Sequence, residues 1–255
     1  MDNRPIGVFD SGLGGLTGVR ELRRRLRHEN IVYFGDTGRV PYGSRSPETI
    51  LQYARQDIAF LLSKDVKCIM AACGTVSSTY PAAEAEKLPV PYLGVVDAAA
   101  REAAFSTRNR RIGVIGTRGT VTSAKFQALL ATVQPHADFV VQPCDGLAAA
   151  IEGSVVEPDG AFATKTRALC DHYISAMGTF GSNPGQMDTL VLGCTHYVFA
   201  APYLRSQLGE TVQLIDTGAP VARQTRRLLA AAQALSSTGT GPVPLIATGA
   251  AQPLH

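Results

Sequence analysis

Ile6-Gly7-Val8-Phe9-Asp10-Ser11-Gly12 is an apolar run that stops at an acid and a small polar turn, and Ile112-Gly113-Val114-Ile115-Gly116-Thr117 repeats its form. Each reads as a buried strand ending in a turn. Later in each half comes a second apolar run that closes on a small residue, a cysteine and a threonine-bearing turn. In the first half this is Ile69-Met70-Ala71-Ala72-Cys73-Gly74-Thr75, and in the second Leu190-Val191-Leu192-Gly193-Cys194-Thr195-His196. The spacings within the two halves are unequal, so a duplication is an expectation drawn from form alone.

Working outward, further short apolar runs give candidate strands at 6–9, 31–34, 66–71, 92–96, 111–115, 139–142, 189–192 and 213–215, and 243–247 is a candidate final strand. Amphipathic stretches separate them. Leu16, Val19, Leu22 and Leu26 recur at helical spacing, with Arg20, Arg23, Arg24 and Arg27 on the other faces as a solvated surface. Ser46-Pro47-Glu48 is a helix start: a capping serine, a proline in the first turn, an acid at the positive dipole end. Near-continuous apolar strands alternating with helices indicate parallel sheet covered on both faces. The expected fold is therefore α/β: two similar three-layer α/β domains with mainly parallel sheets and an active site in the cleft between them. The expected division is residues 1–97 plus 211–255 for the first, because the C-terminal segment should return to it, and 98–210 for the second.

The length agrees, since 255 residues at about 150 per domain is roughly 1.7 domains. Apolar residues are 45% and charged residues 18%, which excludes a disordered chain, and a net charge of +3 is too weak for a nucleic-acid surface. The start Met1-Asp2-Asn3-Arg4-Pro5 has no apolar leader core, and no run of about 18 apolar residues marks a membrane span. The five cysteines, Cys68, Cys73, Cys144, Cys170 and Cys194, are scattered and form no C-x-x-C pair. That pattern supports neither a disulfide framework nor a metal site, and it fits free thiols in a reducing cytoplasm.

In open α/β sheets, ligands bind beyond the carboxyl ends of the strands, where turns and helix N-termini offer N–H groups to anions. Here those turns are Asp10-Ser11-Gly12, Gly35-Asp36-Thr37-Gly38, Cys73-Gly74-Thr75, Gly116-Thr117 through Thr120, and Cys194-Thr195-His196. They are rich in glycine and small hydroxyls, which suits a small ligand with carboxylates. Gly12-Leu13-Gly14-Gly15-Leu16-Thr17 has the outline of a dinucleotide fingerprint but ends in threonine, and no G-K-[ST] loop is present. A nucleotide is therefore not the expected ligand.

Cys68, inside a strand, and Cys170, on an apolar helix face, read as packing residues, and Cys144 follows Pro143 at a helix start. Cys73 and Cys194 differ from these, because both stand at strand ends before turns whose helix N-termini would lower a thiol pKa. His196 lies two positions after Cys194, and Asp10 closes the parallel strand in the half that holds Cys73. Two thiols facing one cleft have two uses: a redox disulfide, or an acid and a base on opposite faces of one carbon.

In this order, the motifs quoted above, with Tyr33-Phe34-Gly35-Asp36-Thr37, Val40-Pro41-Tyr42-Gly43, Tyr197 after His196, and Ile215-Asp216-Thr217-Gly218, resemble those of the glutamate racemases in the aspartate/glutamate racemase superfamily. The resemblance covers nearly the full length. It implies cofactor-independent, metal-free two-base racemisation of L- and D-glutamate, D-glutamate being a precursor of bacterial peptidoglycan, by a protein that forms a homodimer. It implies that Cys73 removes the α-proton of the D-isomer and Cys194 that of the L-isomer, with Asp10 assisting Cys73 and His196 assisting Cys194. Asp10, Ser11, Tyr42, Gly43, Thr75, Thr117, Thr195 and His196 match substrate-contacting positions, and Asp36 and Glu152 match acids near the cleft. One departure stands out. The family commonly reads Cys-Asn-Thr where this chain has Cys73-Gly74-Thr75, so only the backbone N–H of Gly74 is left to hold a carboxylate. A racemase for aspartate or another acidic amino acid, or a non-catalytic binding protein for such a ligand, are the alternative readings.

Overall fold

The two repeated strands lie at the centres of two different sheets. In the computed structural model, which describes residues 1–156, 160–239 and 241–249, the first sheet is laid down by β1 (Ile6–Asp10), α1 (Leu16–Arg25), β2 (Ile31–Gly35), α2 (Pro47–Leu62), β3 (Cys68–Ala71), α3 (Gly74–Thr79), α4 (Ala82–Ala85) and β4 (Tyr92–Gly94). Then α5 (Val95–Ser106) carries the chain to the second, formed with β5 (Arg111–Gly116), α6 (Arg118–Thr122), α7 (Lys125–Val133), β6 (Asp138–Pro143), α8 (Leu147–Val156), α9 (Gly160–Met177), β7 (Thr189–Leu192), α10 (Ala201–Leu208) and β8 (Gln213–Ile215). The helix α11 (Gly218–Ala231) and the strand β9 (Leu245–Ala247) follow.

The strand orders are β4-β3-β1-β2-β9 and β6-β5-β7-β8, and the pairings are parallel throughout. One expectation fails here. The strand Gln213–Ile215 does not return to the first sheet: it pairs with β7 in the second, Thr189 opposite Gln213. The reason is reach. A short helix and a tight connection place a parallel strand beside the one just left, whereas the first sheet is regained only after the fourteen-residue α11. The strand β9 then pairs with β2, Tyr33 opposite Leu245. Residues 250–255 of the expected C-terminal segment lie outside the described residues.

Both sheets are covered on both faces. In the first, Ile6, Val8, Cys68 and Met70 face Val19 and Leu22 of α1 and Val221 and Leu229 of α11. On its other face, Phe9, Ile69 and Ala71 meet Ile50, Ala54, Ile58 and Leu61 of α2. In the second sheet, Leu190 and Leu192 pack under α8, α9 and α10, while Ile112, Val114 and Val191 pack under α5 and α7. Fully burying one such side chain contributes about 1.5–3 kcal/mol, so these four layers dominate the stability. The Ser46 hydroxyl caps α2, accepting from the Thr49 N–H at 3.3 Å with Pro47 in the first turn, as the sequence indicates. Among the described residues, no helix is long and apolar enough to cross a membrane.

Candidate active site

Strand alternation delivers the two thiols. Along β3 the side chains of Ile69, Ala71 and Cys73 share one face, and along β7 those of Leu190, Leu192 and Cys194 do the same. Each cysteine is therefore the last residue of an apolar row, lifted just past the sheet. Cys73 is the residue before α3, and Cys194 is the residue before the 3-10 turn Thr195–Ala200. Only 5% of Cys73 and 6% of Cys194 is exposed.

Asp10 ends β1 fully buried. Its carboxylate accepts from the Ser11 N–H at 2.9 Å, from the Gly15 N–H at 2.5 Å, and from the Thr195 hydroxyl at 3.3 Å. The last bond joins the two halves. Burial pushes the Asp10 carboxyl upward, against the pull of His196 and the two N–H groups. Nearby, the Cys73 sulfur lies 3.8 Å from the Ser11 hydroxyl oxygen. Burial, and after it the Asp10 carboxylate, push the Cys73 thiol well above its ordinary value. The helix start was expected to lower it. That start is a six-residue helix, and its field does not offset the loss of water around the sulfur.

The second thiol has different company. Cys194 Sγ lies 3.7 Å from Nδ1 of His196, and Nε2 of His196 lies 3.3 Å from a carboxylate oxygen of Glu152 on α8. Burial opposes charge on this imidazole, but Cys194 and Glu152 outweigh it, and the His196 pKa stands well above the usual histidine range. Glu152, which a helical position marks as a mere solvated acid, is thus drawn into the site at the end of a Cys194–His196–Glu152 row.

Glycines let the halves approach closely, by backbone against side chain at two places and backbone against backbone at a third. A β-carbon at Gly14 would overlap the Thr195 hydroxyl, one at Gly74 would overlap the Gly193 carbonyl oxygen, and one at Gly43 would sit 2.9 Å from Cβ of Thr117. Across the same seam the hydroxyls of Thr75 and Thr117 are 2.9 Å apart, and that of Thr117 is 3.0 Å from that of Thr120. Thr120, which closes the Gly116–Thr120 turn, is fully buried, its hydroxyl beside that of Thr117. The close approach at Gly74 also gives the departure from Cys-Asn-Thr a steric meaning. An asparagine there would need the two strand-end turns to stand further apart. A cavity of about 490 Å³ lies against the seam at Gly43, Arg45, Thr79 and Gly119.

Two flagged residues do not face the thiols through their side chains. The Tyr42 hydroxyl is hydrogen-bonded to the carboxyls of Asp36 and Asp57, so only the Tyr42 backbone is left for a ligand. Asp36 is fully buried under the same turn, where it also takes Nε of Arg39 at 2.6 Å and the Thr248 hydroxyl at 2.5 Å. Asp57 was missed from sequence. It lies in step with Ile50, Ala54, Ile58 and Leu61 on the buried stripe of α2, and an acid on an apolar stripe is the signal that would have found it. The remaining cysteines pack in the core, where burial raises Cys68 to about 12, Cys170 to about 11 and Cys144 likewise upward. His28, His136 and His172 are exposed, and Tyr80 packs against Tyr92, ring centroids 5.2 Å apart. Among the described residues, no group of three His, Cys, Asp or Glu side chains is placed to hold a metal ion.

The family model for Asp/Glu/Hydantoin racemase matches residues 17–225. A glutamate racemase of Stutzerimonas stutzeri is 40% identical over 233 residues, covering 91% of this chain and 84% of the relative. The crystal structure of a glutamate racemase isoform from Bacillus anthracis superposes with a TM-score of 0.90 at 30% identity, covering 99% of this chain and 91% of that one. A Francisella tularensis glutamate racemase in complex with D-glutamate gives a TM-score of 0.85 at 31% identity, covering 98% and 90%.

Proposed function

The chain belongs to the Asp/Glu/Hydantoin racemase family, and from that premise we propose that it interconverts L- and D-glutamate by proton transfer between Cys73 and Cys194 at the α-carbon. The observation that carries this reading is the pair of buried thiols at matched strand ends, each beside its own proton-handling partner. In this reading the two sheets are two domains, residues 1–97 with α11 and β9 forming the first and residues 98–215 the second, and the substrate lies in the cleft between them.

The α-proton of an amino acid is weakly acidic, so a thiolate alone is an inadequate base and binding must supply the rest of the stabilisation. The N–H groups and hydroxyls at Ser11, Gly43, Gly74, Thr75, Thr117 and Thr195 hold the two carboxylates. With L-glutamate, Cys194 takes the α-proton while His196, steadied by Glu152, holds positive charge beside the sulfur. Cys73 delivers a proton from the opposite face. It is kept in its neutral, donating form by burial and by Asp10. With D-glutamate the roles reverse. Exclusion of water from so closed a site strengthens each of these interactions. The product, D-glutamate, serves bacterial peptidoglycan synthesis, and the protein works as a homodimer in the cytoplasm. Sedimentation velocity tests the dimer.

The deciding experiment is incubation with L-glutamate in deuterated water, following α-deuteration and loss of optical rotation, with L-aspartate in parallel. Deuteration and full racemisation of glutamate are expected. Folded protein that binds glutamate without any exchange would make it a binding protein instead, and faster turnover of aspartate would reassign the substrate.

A further inference from the structure

Beneath the Tyr42–Gly43 turn the chain keeps two carboxyls, Asp36 and Asp57, with no solvent exposure at either side chain. One phenol oxygen lies between them. The Tyr42 hydroxyl bonds to Oδ2 of Asp36 and lies 2.9 Å from Oδ2 of Asp57. Arg39 closes the cluster, its guanidinium 2.6 Å from Asp36 and 3.0 Å from Asp57.

The hydrogens can be counted. A phenol has one to donate, and an ionised carboxylate has none. Two carboxyl oxygens on one phenol oxygen therefore need a second hydrogen, carried by one of the acids. Asp36 already accepts from Arg39 and, at 2.5 Å, from the Thr248 hydroxyl. Oδ2 of Asp57 has the Tyr42 oxygen before it. Charge gives the same answer, because two buried carboxylates on one guanidinium leave one negative charge without a partner.

We propose that Asp57 carries a proton and, by donating it to the Tyr42 oxygen, fixes the turn that presents the Gly43 N–H to the substrate. Asp57 is then a positioning residue, and this inference rests on the racemase reading above. Burial and the Asp36 charge push Asp57 up to about 7, in agreement with the hydrogen count. The groups that face it are Asp36 and Arg39 from the β2 side, Tyr42 from the turn and Asp10 from β1, with Tyr53 one turn back on its own helix, its ring under Arg39. When Asp57 loses its proton, Tyr42 can satisfy only one of the two acids, and the turn loses an anchor. Substrate binding weakens as pH rises.

The test uses the full-length protein. The KM for glutamate is expected to rise about tenfold between its low-pH plateau and one pH unit above the midpoint, in proportion to the lost protonated fraction. D57N supplies an amide N–H to Tyr42 and a carbonyl to Arg39, so its KM is expected to stay flat over that range. A D57N enzyme with the same alkaline rise, or with KM raised equally at every pH, overturns the proposal, since either result makes Asp57 an ordinary ionised partner of Arg39. Infrared spectroscopy provides a readout free of activity. The carbonyl stretch of a protonated buried carboxyl is expected in the unmodified protein, absent in D57N and shifted in Y42F. A missing band, or one indifferent to Y42F, also overturns it. Failure of the racemase reading shows separately, as absence of α-deuteration in the unmodified protein.

Discussion

Cys73 and Cys194 close equivalent strands of two similar sheets, yet their surroundings are opposite in charge. The first thiol sits beside a buried carboxylate and a hydroxyl; burial, and after it the Asp10 carboxylate, raises its pKa, against a smaller pull from the Ser11 hydroxyl. The second sits beside an imidazole that Glu152 helps to keep protonated. A symmetric pair of thiols sharing one proton would hold it on either sulfur with equal weight. The difference between the halves breaks that tie. In the proposed reaction it rests Cys73 as the donor and leaves Cys194 next to positive charge.

The most severe way to break the comparison is to remove either thiol. C73S and C194S are each expected to lower racemisation by roughly 10³–10⁴, measured by polarimetry on protein with unchanged circular dichroism. One-sided α-deuteration of a single isomer should survive and identify the faces. Next is the seam between the two turns. G74N places a side chain on the Gly193 carbonyl, and a displacement near 1 Å costs on the order of 100-fold in kcat. An unchanged kcat would show that the turns part freely.

A smaller effect separates the partners. E152Q should lower kcat/KM by about tenfold, and by the same factor for both isomers, because the equilibrium between mirror images is unity. The asymmetry appears instead in the deuterium isotope effect, which should grow for α-deuterated L-glutamate if, as proposed, Cys194 takes its deuteron. An equal increase for both isomers would mean that Glu152 serves both faces. The last effect is on stability. Asp57 is pushed up from 3.8 to about 7, so its contribution is fully present below about pH 4 and is lost as pH rises through 7. Thermal melts should fall over that interval, and D57N should flatten the decline.

The sequence makes the sheets legible because their strands are short apolar runs ending in polar turns, and Cys73 and Cys194 are legible because they end such runs. What it hides are destinations and depths. Gln213–Ile215 is as apolar as any edge strand, and nothing in its residues says which sheet it will join; the length of the α10 connection decides. Glu152 and Asp57 are both helical acids of the kind that usually face water. Their partners come from where α8 and α2 happen to pack, one under His196 and one under Tyr42. The expected lowering of the Cys73 pKa fails for a related reason, since a local cue, the helix start, is weaker than burial by residues far away in the chain.

The return of β9 to the first sheet has a consequence for biosynthesis. Asp36, below the Tyr42 turn, receives the Thr248 hydroxyl from a residue 212 positions later, and Tyr33 donates its N–H to Pro244. At about 5–20 residues per second, a ribosome finishes that partner on the order of 10–40 s after Asp36 emerges. The edge of the first sheet stays unpaired through that interval, while the whole second sheet is made. Folding order is thereby tied to the synthesis of residues 244–248: the half that begins first is sealed only after the second sheet is made.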